Sequence, residues 1–404
     1  RNRMGSDTLP AFLKMEAGLR TVYVGGFAER HSTFCYYAGF REIYDTGKGG
    51  MESAEEVTPT ALDWLDRHGA EENWYLHVNY WDPHTPYRAP AAFGNPFAEE
   101  PLPEWLTAEE IDRQRRETGG PHGIGEIAMY DDRENPRFPR QAGRVDDMAG
   151  VRREIDGYDC GVRYADTHVG MLLERLEQLG VLDDLIIIVS SDHGENLGEL
   201  GLWSEHGTAD YCTTRIPLII RWPGMKRGHV DTGLHYNIDL LPTLAELLGR
   251  EPRRSWDGES FAAALREGTP TGRDYLVVSQ CCHGCQRSVR RGEWLYMRTY
   301  HDFFHLFPKE MLFRISEDPH EQRDLAAERP DVCSELARCY LDWHDEMMAT
   351  QPEGFFHDPM WEELHRGGPC HAHGHLAGYC ERLERTGRGW AVPLLKERHP
   401  EEFR

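Results

Sequence analysis

No stretch of this sequence is apolar for long enough to cross a bilayer. The longest apolar runs, LIIIV (185–189) and IPLII (216–220), fall far short of the roughly 20 residues a spanning helix needs. Basic charge is scarce too: 45 Lys and Arg stand against 69 Asp and Glu, a formal net charge of −24. Such a surface repels nucleic acid, whose binding needs basic stripes that displace counterions. An anionic substrate then requires a local pocket of Arg, Lys, His or metal. Fixed-period repeats and low-complexity tracts are lacking, which excludes solenoids and disordered linkers. Cysteine is thinly spread: ten residues (35, 160, 212, 281, 282, 285, 333, 339, 370 and 380) in 404. That density does not make a disulfide scaffold, and most read as reduced thiols, which suits a cytoplasmic location over a periplasmic or secreted one. CCHGC (281–285) and PCHAHGH (369–375) are metal-like in composition. A zinc site wants paired ligands, so the two clusters would have to meet in space; the plainer reading is ordinary loop residues. The chain opens RNRMGSDTLP, without an initiator Met or a signal peptide, and is expected to be a piece of a longer protein.

What is present is an α/β grammar. RTVYVGG (20–26), NWYLHVNYW (73–81), DLIIIVSS (184–191) and RIPLIIRWPG (215–224) read as strands, the third buried on both faces. Helical periodicity marks 9–20, 59–68, 157–180 and 239–249, with Gly180 and Gly249 as stops. Residues 96–150 are polar and aperiodic, the kind of insertion that covers a site. After residue 250 the pattern shifts to short, closely spaced strands at 275–280, 287–291, 294–300 and 311–316, then a helix at 329–348. The expectation is an incomplete α/β catalytic domain over 1–250, with a mostly parallel mixed sheet flanked by helices. A smaller domain, an antiparallel sheet plus helix and tail, is expected over 251–404. Residues 350–404 give no assignable pattern.

Ligands bind at the carboxyl ends of strands in open α/β sheets. Three strand exits here carry titratable groups: Arg30 and His31 after the first, Asp82 and His84 after the second, Asp192 and His193 after the third. If those strands are neighbours, the three exits point at one spot. An Asp-His pair can ligate a hard or borderline divalent cation, though Ca²⁺ wants six or more oxygen ligands. The bland readings stand beside these. Asp192 also suits a helix N-cap, DPHTP is a good turn, and His84 or His206 alone is an unremarkable surface imidazole.

SSDHGENLGELGLWSEHGTADYCTTRIPLIIRWPG resembles the second signature region of the sulfatases, members of the alkaline phosphatase superfamily. HVNYWDPHTPYRAP is similar to the family's substrate-histidine segment. YDCGVRYADTHVGMLLERLEQLG resembles its helix before the metal strand, and LFRISEDPHEQRDLAAE its late DP-x-E-x-x-N-L segment, with Asp324 where Asn is usual. The matches run in family order over about residues 9–345. The resemblance implies an alkaline-phosphatase-like fold and hydrolysis of a sulfate monoester. It implies Asp192 and His193 as ligands of one divalent ion, usually Ca²⁺. His84 would protonate the leaving oxygen, and His206 would contact the ester where many relatives carry Lys. Gly26 and Phe27 stand where Lys and Trp are usual. Arg30 would take over the basic role and His31 would assist release of sulfate. The family nucleophile is a formylglycine made from Cys in Cys-x-Pro-Ser-Arg. None of the ten cysteines has that context, and the paired N-terminal Asp ligands are also missing, so both are expected upstream of Arg1. On that footing these 404 residues alone would be inactive.

The implied substrate is a small or oligosaccharide sulfate ester, with a carbohydrate favoured because the 96–150 loop and the tail can build sugar subsites. Aryl and choline sulfates stay open, as does the oligomeric state. Two other readings remain: a phosphodiesterase or phosphonate monoester hydrolase of the same superfamily, and a degenerate member serving as a binding or scaffold protein.

Overall fold

The computed structural model describes residues 8–30, 32–127, 135–351, 357–369 and 371–403. Along the chain the strands are β1 (Arg20–Val24), β2 (Glu42–Tyr44), β3 (Trp74–Val78), β4 (Ile187–Ser190), β5 (Asn196–Leu197), β6 (Trp203–Glu205), β7 (Leu218–Arg221), β8 (Tyr275–Gln280), β9 (Cys285–Arg291), β10 (Trp294–His301) and β11 (Glu310–Arg314). The chain does not divide at one point near residue 250. It forms two compact units, each discontinuous in sequence: Arg1–Ala98 with Asp156–Val189 and Ile219–Gly272, and Glu99–Ile155 with Ser190–Leu218 and Arg273–Arg404. The reason is that the 99–155 segment spends its hydrogen bonds on the tail. Tyr379 donates to the Gly119 carbonyl, Arg382 to the Gly125 and Ile127 carbonyls, and buried Arg388 pairs with buried Glu126.

In the first unit β1 is central in a parallel three-stranded sheet, β2-β1-β3, with Val24 level with both Tyr44 and Val78. Val22, Tyr23 and Val24 are fully buried. Helix Ala54–His68 covers the sheet through Val57, Ala61, Trp64 and Leu65. It starts a turn earlier than Pro59 suggests, because Ser53 and Glu56 close a capping box at its head. Helix Met148–Gln178 contributes its residues from Asp156 onward, and Leu176 packs on the same core.

β4 and β7 pair with each other and, among the described residues, do not join the β1 sheet. β1 and β3 are therefore adjacent as expected, but the β4 exit is not their hydrogen-bonded neighbour. Nor is the 184–191 run buried on both faces: Ile186, just before β4, and Val189 within it are 40% and 38% exposed, and Leu218 and Ile219 are exposed on β7.

In the second unit β11-β10-β9-β8 form the expected antiparallel sheet. Alternation along the strands gives it two apolar faces. Val277, Val289, Tyr296 and Leu312 pack on helix Pro330–Ala349, while Leu295, Met297, Met311 and Phe313 pack with Leu202. Helix Ala108–Glu117 lies inside the segment expected to be loop. Helices Pro359–His365, Leu376–Arg385 and Val392–Arg398 organise the tail, whose Leu376, Tyr379 and Leu383 close on Phe303 and Phe304. Among the described residues no helix is long and apolar enough to cross a membrane.

Candidate active site

Parallel pairing in register brings the ends of β1 and β3 out side by side. Gly26 is needed at the β1 exit: a Cβ there would sit 2.6 Å from the Glu52 carboxylate, itself buried. The chain then turns into the short helix Phe27–Arg30. Phe27 stacks on Trp81 at 5.9 Å, and Trp81 meets the His84 ring edge-on at 5.2 Å. Two of the three expected exits thus touch through an aromatic chain that ends in His84.

Arg88, which sequence reasoning passed over, fixes this loop. It is 6% exposed, lies over the Trp81 ring, and donates to the carbonyls of His84 at 2.7 Å, Pro86 at 3.0 Å and Gly50 at 3.3 Å. The His84 Nδ1–H donates to the Thr85 carbonyl, which assigns the proton to Nδ1 and leaves Nε2 to face a ligand. Asp82 is buried, and its Oδ2 accepts the Ala54 N–H at 2.9 Å. Burial pushes its carboxyl up to about 6, against the opposing pull of Arg88. Arg30 is exposed on the last turn of its helix. His31 lies outside the described residues.

In the second unit Asp192 and His193 follow β4. Asp192 is 71% exposed, and its Oδ2 lies 3.9 Å from His193 Nε2. His193 Nδ1–H donates to the Gly194 carbonyl at 2.7 Å, so Nε2 carries the lone pair. Gly194 has no room for a side chain: a Cβ would sit 1.9 Å from the Cys212 carbonyl, and its N–H donates to Thr213 O at 2.8 Å. Asp210, fully buried, holds the underside by accepting from Asn196, Thr213 and Cys212. His206 stacks on His193, centroids 4.1 Å apart and planes 8° from parallel.

Glu195, Glu199 and Glu205 are not the solvated loop positions their composition suggests; they are 7%, 5% and 1% exposed. The loop folds back through the β5–β6 pair, where Glu199 and Glu205 find partners. Glu199 accepts from the Leu197 N–H and from His320. Glu205 accepts the His206 N–H at 3.2 Å with one oxygen and His283 Nδ1–H at 2.5 Å with the other. Burial drives the Glu205 carboxyl up, but His283, with His305 and His206 behind it, outweighs burial and holds it at about 2. His283 is held well above its ordinary range by Glu205 despite its own burial. The sequence signal for His283 was CCHGC.

The donor set can be tested against a divalent ion. A His with Nδ1 tied to a carbonyl and Nε2 beside a carboxylate is the arrangement in which imidazole ligates a metal. Asp192 and His193 fit two positions of a coordination shell. Ca²⁺ needs six to eight oxygens, so they make part of such a site.

The family model described as Sulfatase matches residues 3–250, more than half of the chain. The chain belongs to the sulfatase family. Among relatives of this sulfatase chain is the choline-sulfatase of Rhizobium meliloti (strain 1021), 31% identical over 306 residues, 72% of this chain and 54% of that protein. The multifunctional alkaline phosphatase superfamily protein PehA of Trinickia caryophylli is 32% identical over 218 residues, 53% of this chain and 41% of that protein. The chain spans about half the length of these relatives. A solved structure described as BT4656 in complex with its substrate D-glucosamine-2-N,6-O-disulfate superposes with a TM-score of 0.68 at 18% identity, covering 87% of this chain and 84% of that one. The expected alkaline-phosphatase-like α/β fold is thereby met.

Proposed function

We propose that the whole protein hydrolyses a sulfate monoester. The observation that carries the reading is the pinned Asp192-His193-Gly194 exit of β4, with His193 Nε2 presented beside the Asp192 carboxylate in a chain of the sulfatase family. Each role rests on its own segment. Asp192 and His193 hold part of a divalent cation site, with calcium the ion the resemblance favours. Such an ion supplies positive charge for sulfuryl oxygens. His206, stacked on His193, donates to the ester. His84, its Nδ1–H held by Thr85, acts as the imidazolium: with a second proton on Nε2 it protonates the leaving oxygen. Arg30 and His31 remain proposed as basic partners of the anion. The nucleophile is a formylglycine, for which none of the ten cysteines here has the sequence context.

A carbohydrate sulfate is the favoured substrate class. In support, the second unit holds a cleft that the 99–155 segment and the tail line with Arg144, Arg153, Arg382 and Arg385 beside Asp146 and Asp147, a mix of donors and acceptors suited to a sulfated sugar. A second reading is phosphodiester or phosphonate monoester hydrolysis; one relative is described as a multifunctional alkaline phosphatase superfamily protein.

The test is turnover of an aryl sulfate, a sulfated sugar and the matching phosphate diester by the whole protein. His84→Ala and Asp192→Ala should each lower sulfate-ester kcat/KM by about 10²–10⁴-fold with the fold kept. Near-normal turnover in either variant refutes its role, and faster phosphodiester than sulfate turnover selects the second reading.

A further inference from the structure

CCHGC and PCHAHGH do meet. One ligand atom each from Cys282, His283 and His371 lies within 4.8 Å of the other two. Cys282 is half-buried, His283 is 4% exposed and His371 is exposed. All three belong to the second unit. We propose that these residues bind Zn²⁺ at a site separate from the Asp192-His193 exit.

Three observations support a built site. His283 is preset as a ligand: its Nδ1–H donates to Glu205, which is buried and accepts from His206 with its other oxygen, so Nε2 faces Cys282. A carboxylate behind an imidazole is the usual outer shell of a zinc-bound His. Space for the ring comes from Gly207, where a Cβ would lie 2.7 Å from His283 Cβ and 2.8 Å from its Cγ. His371 is placed by its neighbour Ala372, fully buried beside Phe303 and Phe304, and its ring stands 5.5 Å from that of His283.

One thiolate and two imidazoles are zinc donors in character. Zinc bonds of about 2.0–2.3 Å separate tetrahedral ligand atoms by about 3.3–3.8 Å. The ligand atoms lie within 4.8 Å of one another, and His371, being exposed, has room to adjust toward that spacing. Binding releases the Cys282 thiol proton and the Nε2 proton of His283 to solvent. The free thiols of Cys281 and Cys285 hydrogen-bond to each other and are not part of the clustered donor set. The ion would tie the β8–β9 turn to the tail and, through Glu205, steady the backbone of His206.

The purified protein is freed of metal with a chelator and reloaded with zinc or cobalt alone. Zinc is measured by elemental analysis and by competition with a chromophoric chelator. The expected result is one zinc per chain lost in Cys282→Ser and in His371→Ala and retained in Asp192→Ala, with Glu205→Gln binding about 10–100-fold more weakly. Cobalt should give a thiolate-to-metal charge-transfer band that Cys282→Ser abolishes. Circular dichroism identifies a variant that has not folded; the wild-type cobalt band and His371→Ala then decide. Absence of that band in the wild type, or unchanged zinc content in the folded variants, overturns the proposal.

Discussion

Asp82→Asn should stabilise the protein at neutral pH. The Asp82 carboxyl sits two residues before His84, 6% exposed, with one oxygen on the Ala54 N–H at the head of helix Ala54–His68. Burial raises it from the ordinary 3.8 to about 6, more than Arg88 lowers it. The fold therefore prefers the protonated form. That preference is fully present below pH 3.8, fades as pH rises toward 6, and is gone above. The gap corresponds to about 3 kcal/mol of stability lost between pH 4 and pH 7, at about 1.4 kcal/mol per tenfold change in proton affinity. Asn keeps an acceptor for Ala54 N–H and removes the charge. In urea unfolding followed by tryptophan fluorescence, the variant should exceed the wild type by about 3 kcal/mol at pH 7 and match it at pH 4. A variant no more stable at pH 7, or a gap that ignores pH, would show that the buried carboxylate is solvated or paired more fully than its surroundings indicate.

Asp358→Ala should cost about 3–5 kcal/mol, because it removes the carboxylate partner of Arg287, a buried guanidinium whose other hydrogen bonds go to the neutral Tyr340 and Ser279. Breaking the exposed Arg116–Asp112 pair should change the same urea midpoint by under about 1 kcal/mol, and equal costs would contradict the burial argument. Gly194→Ala forces a Cβ onto the Cys212 carbonyl and should cost about 1–3 kcal/mol while weakening the proposed binding of a divalent ion at Asp192 and His193. Calorimetry showing wild-type affinity in that variant would free His193 from dependence on this close approach.

Strand order was legible wherever apolar residues clustered, and the four C-terminal strands appear within a few residues of their expected limits. Less visible were elements held by few apolar residues. Helix Ala108–Glu117 buries only Ile111 and Gln114, so periodicity had little to register. The head of helix Met148–Gln178 hid in a charged stretch. Of the candidate site, His84, His193 and His206 were proposed from motif context. Glu205 could not be, because an acid in a Gly-rich loop looks solvated until the β5–β6 pair folds it inward beside His283. Arg88 went unremarked because its partners are carbonyls, which leave no trace in side-chain composition.

The β4–β7 ribbon bears on how the molecule behaves as a colloid. A short sheet showing Ile186, Val189, Leu218 and Ile219 to solvent is a template onto which another strand can add. At low ionic strength the −24 charge keeps copies apart. Salt at physiological strength shrinks the reach of that repulsion to about 8 Å, while the attraction between apolar strands is untouched. Any self-association through this ribbon would therefore be promoted by salt, the reverse of what salt does to contacts made by opposite charges.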